Sequence, residues 1–444
     1  MKFILLCIML FASFSLTAQT GRSRSIVQSI VELRANAVYS AVVDVNGGGD
    51  YTSVQEAVDQ APAGRKTPWL IFVKNGTYEG LVRIPVNKPY IHLIGQDREK
   101  VMITFKINCA NPANANDSGK EFSKVNFGAH DCAVVVVDAP DFFAENISFE
   151  NGYGVEAQSG PQALAIKTNN DRIAFYNCKF RSFQDTWMTS TRGMHDRLYV
   201  DKCWIEGAVD YFYGGGNAYV ENSTLYNVRS GSVIVAPAQG EGVKWGYVFD
   251  HCIVDGNAAA ADGRTKLGRP WHNQPMAVYL NTTMKIPLDP QGWTDMGPAA
   301  KLFAEYNSRS DDGRPLDLSR RRTWYQQRKN EGGKKIEGLT AVLNQQQAAK
   351  YTYKNIIEDA DGWNPRTFFE KTEIPTNVKR TANMLIWEAT DKVIGYVVYR
   401  NKEVIGFTRS NSFRLPESAG PGGTFALQAV NKDGDLSVMS ESAK

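Results

Sequence analysis

Two ten-residue stretches decide how this chain folds. They are Asp171-Arg172-Ile173-Ala174-Phe175-Tyr176-Asn177-Cys178-Lys179-Phe180 and, 25 positions later, Asp196-Arg197-Leu198-Tyr199-Val200-Asp201-Lys202-Cys203-Trp204-Ile205. Charged, apolar and cysteine positions coincide. Weaker copies follow the same plan in Ala144-Glu145-Asn146-Ile147-Ser148-Phe149, Val220-Glu221-Asn222-Ser223-Thr224-Leu225 and Phe249-Asp250-His251-Cys252-Ile253-Val254. The last residues of the five copies fall at 149, 180, 205, 225 and 254, so the intervals are 31, 25, 20 and 29. Repeats of roughly 20 to 50 residues mark solenoids, in which each unit buries its apolar face only by stacking on its neighbours. Within each copy apolar or small side chains stand two apart, as in a strand. The pattern predicts an all-β chain in which each copy is one coil of a parallel β-helix. An antiparallel sandwich would show hairpin spacings of about 8 to 12 residues instead.

Working outward, Leu70-Ile71-Phe72-Val73 and Val134-Val135-Val136-Val137 are β-type runs broken by glycine, asparagine and proline. Before them, Gly47-Gly48-Gly49-Asp50 leads into a short helix that Thr52 and Gln55 are expected to start and Pro62 to stop. Val54, Ala57, Val58 and Ala61 share one face of it, suited to plugging the end of the solenoid core. From Pro375 onward Leu385-Ile386-Trp387, Gly395 to Asn401 and Phe425 to Asn431 alternate with polar turns. This segment resembles a short fibronectin type III module, a small β-sandwich with an early core tryptophan. At the other end Lys2 precedes an apolar run from Phe3 to Leu16 and then Thr17-Ala18-Gln19-Thr20, the pattern of a cleaved signal peptide. The expected organisation is a signal peptide over 1–18, a β-helix over 40–372 and a sandwich-like module over 375–444, exported to the periplasm or beyond the cell.

Composition narrows the partners. The 444 residues are 43% hydrophobic and 22% charged, which is ordinary for a globular chain and unlike a disordered, collagenous or polytopic membrane protein. A net charge of +3 gives no reason to expect nucleic acid or an anionic membrane surface. Without Cys7 there remain Cys109, Cys132, Cys178, Cys203 and Cys252, an odd number, so at least one thiol is expected to stay unpaired. Cys178, Cys203 and Cys252 share a repeat phase and should stack inside; a Cys178–Cys203 bridge and stacked free thiols are both compatible with that. Cys109 and Cys132 could pair at the base of the polar excursion from Asn111 to Asp131. Neither the cysteine spacing nor the five histidines offers a zinc-type ligand set, so no metal or other cofactor is expected.

Two aspartates carry the chemistry. Asp185 follows Phe180 by five residues and Asp210 follows Ile205 by five, so they share a phase on consecutive coils. Adjacent parallel strands lie about 4.8 Å apart. At that separation two carboxylates repel by roughly 3 kcal/mol in an effective dielectric near 20, about two pKa units, so they should not ionise alike. One could then act as an acid and the other as a base or nucleophile. Gln162, about one coil before Asp185, and Gln184 beside it could aim amide donors at a developing oxyanion. Leu267-Gly268-Arg269-Pro270-Trp271 adds a fixed cation and a large aromatic, although the repeat leaves open whether that segment reaches the aspartates. Each of these residues alone also has an ordinary structural use as a turn former, ladder or loop anchor.

Taken together, Gly160-Pro161-Gln162-Ala163-Leu164-Ala165-Ile166, Gln184-Asp185-Thr186, Val209-Asp210-Tyr211-Phe212-Tyr213-Gly214 and Leu267-Gly268-Arg269-Pro270-Trp271 resemble the ordered signature motifs of pectin methylesterases. The likeness runs over roughly residues 40 to 368. It implies a right-handed parallel β-helix and the hydrolysis of galacturonate methyl esters in pectin by a monomer without cofactor or metal. In that resemblance Asp210 is the nucleophile, Asp185 the acid and then base, and Gln162 and Gln184 the oxyanion donors. Arg269 pairs with Asp210, and Trp271 lines the sugar groove. The chain departs from the family at Trp187-Met188, where Leu-Tyr is usual. It departs again at Tyr211-Phe212-Tyr213, where Phe-Ile-Phe is common, and at Met296, where a second tryptophan is missing. These departures are expected around the groove. Rival readings are a β-helical pectate lyase, which needs a calcium-binding carboxylate cluster, and a non-catalytic glycan-binding β-helix.

Overall fold

The computed structural model describes residues 37–110, 132–190, 196–370, 372–416 and 422–443. The expected signal peptide and the excursion from Asn111 to Asp131 fall outside them. Among the described residues no helix is long and apolar enough to cross a membrane. Residues Ala41–Glu370 form one compact unit, and Lys371–Lys444 with the described residues before Ala41 form a second.

The larger unit is a right-handed parallel β-helix built of three sheets with ten, nine and seven strands, every pairing within them parallel. The coils are in register: Ile173 to Tyr176 pair with Leu198 to Asp201, as the repeated stretches require. Each copy of the repeat differs from a single strand, however, because the chain turns a corner in its middle. Ala144 and Glu145 end the strand Phe142–Glu145 of the ten-strand sheet, whereas Ser148 begins Ser148–Asn151 of the nine-strand sheet.

The corner residue explains the polar position that stands three residues before the end of every copy. Asn146, Asn177, Lys202, Asn222 and His251 all adopt the left-handed conformation, with φ between 48° and 56°. Asparagine tolerates that region better than most residues with a Cβ. The corners also bond to one another from coil to coil. Asn177 Nδ2 donates to Asn146 Oδ1 at 2.6 Å, and Asn222 Nδ2 to Asp201 Oδ1 at 2.9 Å. The next residue of each copy points inward, so Ile147, Cys178, Cys203, Ser223 and Cys252 are all buried. Cys178, Cys203 and Cys252 are free thiols there, which settles the open alternative against a bridge, while Cys109 and Cys132 form a disulfide.

Aromatic side chains fill the interior. Phe180 stacks on Phe149 with centroids 5.2 Å apart, and Trp187 meets Phe180 at 4.1 Å and Phe175 at 5.0 Å. Trp187 and Tyr211 are wholly buried, so two departures that the sequence placed around the groove are core substitutions. The end of the core is closed by helix Val54–Gln60, whose Val54, Ala57 and Val58 are buried. Its capping box uses Ser53 and Glu56, one residue later than the expected Thr52 and Gln55.

The smaller unit has two three-stranded antiparallel sheets, one from Lys379–Thr381, Met384–Ile386 and Ser412–Arg414, the other from Val393–Arg400, Glu403–Thr408 and Phe425–Asn431. Trp387 packs edge-on against Tyr396 at 5.1 Å in a core with Leu385, Val398, Phe425 and Leu427. Tyr39, from the far end of the described chain, belongs to this unit: its hydroxyl donates to the Gly434 carbonyl at 2.9 Å and its ring meets Phe407 at 5.6 Å.

The corner geometry makes a direct prediction. Asn177→Val forces a β-branched residue into a left-handed corner and removes the bond to Asn146 and the one from Arg98 Nη1, so urea unfolding should show a loss of about 3–4 kcal/mol. Asn177→Gly loses the two side-chain bonds alone, and about 1–2 kcal/mol is expected.

Candidate active site

The seven-strand sheet carries the site. Its strands Leu164–Thr168, Trp187–Met188, Val209–Gly214, Val233–Pro237 and Lys266–Gly268 lie side by side in that order. Just before the second of them, Gln184 bridges to Val209, and the Asp185 amide donates to the Val209 carbonyl at 2.9 Å. Trp187 pairs with Phe212, so Asp185 and Asp210 stand at the same level of successive coils. Both adopt left-handed backbone conformations, with φ of 62° and 49°, and both line the same cleft. Both are buried, at 5% exposure each.

The segment whose reach the repeat left open does return to the pair. The Arg269 amide donates to the Val235 carbonyl at 2.9 Å, extending the sheet past Lys266–Gly268. Its guanidinium then forks onto Asp210, Nε to Oδ1 at 2.8 Å and Nη2 to Oδ2 at 2.6 Å. Such a two-bond, charge-assisted pair fixes the position of the Asp210 carboxyl group. Asp185 has no such fork. Burial pushes its carboxyl well above the usual carboxylate range, and the neighbouring Asp210 charge adds to the rise. The Tyr213 hydroxyl, Arg269 and Gln184 pull the other way without cancelling it. Two like residues one coil apart therefore sit in opposite electrostatic settings.

Gln162, Gln184 and Trp271 join these groups in one cleft of about 310 Å³, with Tyr213, Ala236 and Met296 completing its wall. Gln162 comes from the coil below: the Ala163 amide donates to the Gln184 carbonyl at 3.1 Å, and the Gln162 carbonyl accepts from the Cys109 amide at 2.9 Å. All six residues singled out in the sequence thus line the cleft. Tyr213 and Met296 were noticed only as departures; the sequence signal was present, but nothing in it said that their side chains reach the aspartates. The cleft opens beyond Arg269 and Met296 into a second depression of about 560 Å³ lined also by Gln326, Gln327, Arg328 and Lys329. Among the described residues there is no group of three or more histidine, cysteine, aspartate or glutamate side chains able to hold a metal ion.

Fold and comparisons together define a β-helical esterase. More particularly, the chain belongs to the pectinesterase family, whose sequence profile matches residues 40–360. It is 33% identical over 268 residues to pectinesterase 31 of Arabidopsis thaliana, covering 60% of this chain and 80% of that protein. Solved structures share the fold. Carrot pectin methylesterase superposes with a TM-score of 0.61 at 24% identity, covering 75% of this chain and 97% of the other. A pectin methylesterase in complex with a hexasaccharide gives 0.58 at 23% identity, over 74% and 99%.

The raised Asp185 has a cost in stability with a defined sign. Its carboxyl takes up a proton more readily folded than unfolded, so the folded state loses ground as pH rises through the folded value. Asp185→Asn removes that loss, and its melting temperature should exceed that of the parent by about 1–3 °C at pH 8, with the gap closing toward pH 4. Arg269→Leu should do the opposite, destabilising by about 3 kcal/mol because Asp210 is left as a buried charge without its partner.

Proposed function

We propose that this protein hydrolyses the methyl esters of galacturonate units in pectin, releasing methanol and de-esterified pectin. The observation that carries the mechanism is the in-register pair of aspartates, one forked by Arg269 and the other desolvated.

An Asp210 oxygen attacks the ester carbonyl carbon. The carbonyl oxygen gains the negative charge, and the side-chain amides of Gln162 and Gln184 donate to it. As the bond to the methoxy oxygen breaks, Asp185 gives its proton to that oxygen and methanol leaves. The acyl group is now held by Asp210. Asp185, ionised by that transfer, takes a proton from a water molecule, whose oxygen attacks the acyl carbon. Cleavage of the bond to Asp210 returns the nucleophile as a carboxylate and Asp185 as an acid. Trp271 offers an apolar face to a sugar ring. The depression with Arg328 and Lys329 suits neighbouring galacturonates that already carry a free carboxylate.

The smaller unit fits a fibronectin type III-like module: two three-stranded sheets with Trp387 between them support that reading. It has no part in the chemistry. The protein acts as a monomer after export to the periplasm or outside the cell.

Methanol release from highly methylated pectin tests the reaction. Asp210→Asn should lower turnover by about 10³-fold or more, with no unsaturated sugar formed by either protein and no effect of a calcium chelator. A variant with near-parental turnover rules out Asp210 as nucleophile. Arg328→Glu should raise KM on partly de-esterified pectin several-fold at constant kcat; an unchanged KM removes the second depression from the substrate path.

A further inference from the structure

The mechanism above leaves one polar group of the cleft without a task. Tyr213 lies three residues after Asp210 in strand Val209–Gly214, pairs with Met188 on one side and Ala236 on the other, and is 1% exposed. Its ring meets Trp271 edge-on at 5.4 Å, as any aromatic side chain could. Tyr213 and Asp185 line the same cleft, and the hydroxyl does there something a phenylalanine cannot: it donates a hydrogen bond to Asp185. We infer that Tyr213 is the positioning residue of the acid–base carboxyl, its hydroxyl occupying one Asp185 oxygen so that the other, proton-bearing oxygen faces the ester. The inference rests on the reading of Asp185 as acid and base.

The geometry gives the hydroxyl two tasks. While Asp185 is neutral, a donor on its carbonyl oxygen leaves the acidic proton on the oxygen that points into the cleft, where the methoxy group must be protonated. Once Asp185 is ionised, the same donor stabilises the carboxylate that activates water. The donor is permanent, because burial first, and then the neighbouring Asp185 charge, hold the Tyr213 phenol well above its ordinary range. The groups that bear on this unit are few. Asp210, Arg269 and Gln184 act on Asp185 beside Tyr213, and Tyr247 and Asp210 act on Tyr213. Gln184 is a second side-chain hydrogen-bond partner of Asp185 and remains when the phenol is removed, whereas Arg269 is committed to Asp210 and the Tyr247 hydroxyl meets Thr189 Oγ1 at 2.5 Å.

Tyr213→Phe removes one oxygen and keeps the ring. With the donor gone the ionised form of Asp185 loses support, so the alkaline limb of kcat/KM, which requires the protonated acid, should move upward by about one pH unit. At the parental pH optimum kcat should fall about tenfold with KM within about twofold of the parent. A limb that stays in place or moves downward overturns the inference, and so does a raised KM at unchanged kcat, which would make Tyr213 a substrate contact. Carbon-13 titration of the Asp185 carboxyl in both proteins reads the same shift without any turnover. It therefore separates failure of this inference from failure of the esterase reading, which would appear as a parent protein releasing no methanol. In the parent alone, a slowly exchanging Tyr213 hydroxyl proton whose resonance follows the Asp185 titration is expected; free exchange with water would overturn the inference even if the variant did not fold.

Discussion

Everything in the larger unit depends on the fixed vertical step between coils of a parallel β-helix. That step is set by backbone hydrogen bonds, about 4.8 Å per coil, and it does not depend on which side chains are carried. What the side chains decide is where each coil turns. Left-handed corners at Asn146, Asn177, Lys202, Asn222 and His251 recur at one level, so every coil starts its next strand in phase with the one below. The same backbone device, a left-handed residue, recurs at Asp185 and Asp210 on the way to the seven-strand sheet. There it aims functional groups where a corner elsewhere aims a ladder of amides.

Once the pair is in register, a difference of environment is needed to give two identical side chains distinct roles. Arg269 supplies it for Asp210, and burial supplies it for Asp185. The asymmetry is inexpensive in sequence terms, since one arginine two coils further along the sheet is enough. It is expensive in stability, because a desolvated carboxyl and a like charge one coil away both work against the folded state.

The sequence made the scaffold legible because a solenoid writes its coil length directly into the spacing of similar residues. The 25-residue offset that aligns Asp171 with Asp196 also aligns Asp185 with Asp210, and the sheet keeps that offset. What stayed hidden depends on which way a side chain points. The copies of the repeat read as strands because their alternation continues through the corner, although the corner turns that alternation onto a new sheet. The helix cap was misplaced by one residue because Thr52 and Ser53 are both good caps and the partner glutamate decides between them. Trp187 and Tyr213 were equally visible as departures, yet one is core and the other reaches Asp185. Only the alternation of the short strands Trp187–Met188 and Val209–Gly214 distinguishes them, and a two-residue strand has too little of it to read.

The packing of Tyr39 into the smaller unit bears on how this protein can be divided. Gly395 has no room for a side chain, since a Cβ there would come within 2.5 Å of Val38. The sandwich-like unit is therefore assembled from both flanks of the described chain, and the β-helix is spliced into it as a long insertion. A fragment cut at Pro375 would lack the Val38 and Tyr39 contacts and expose the surface around Gly395 and Phe407 to water. Excising the small unit for grafting elsewhere would call for a circular permutation that joins residues 37–40 to it, with new termini at the former boundaries of the solenoid.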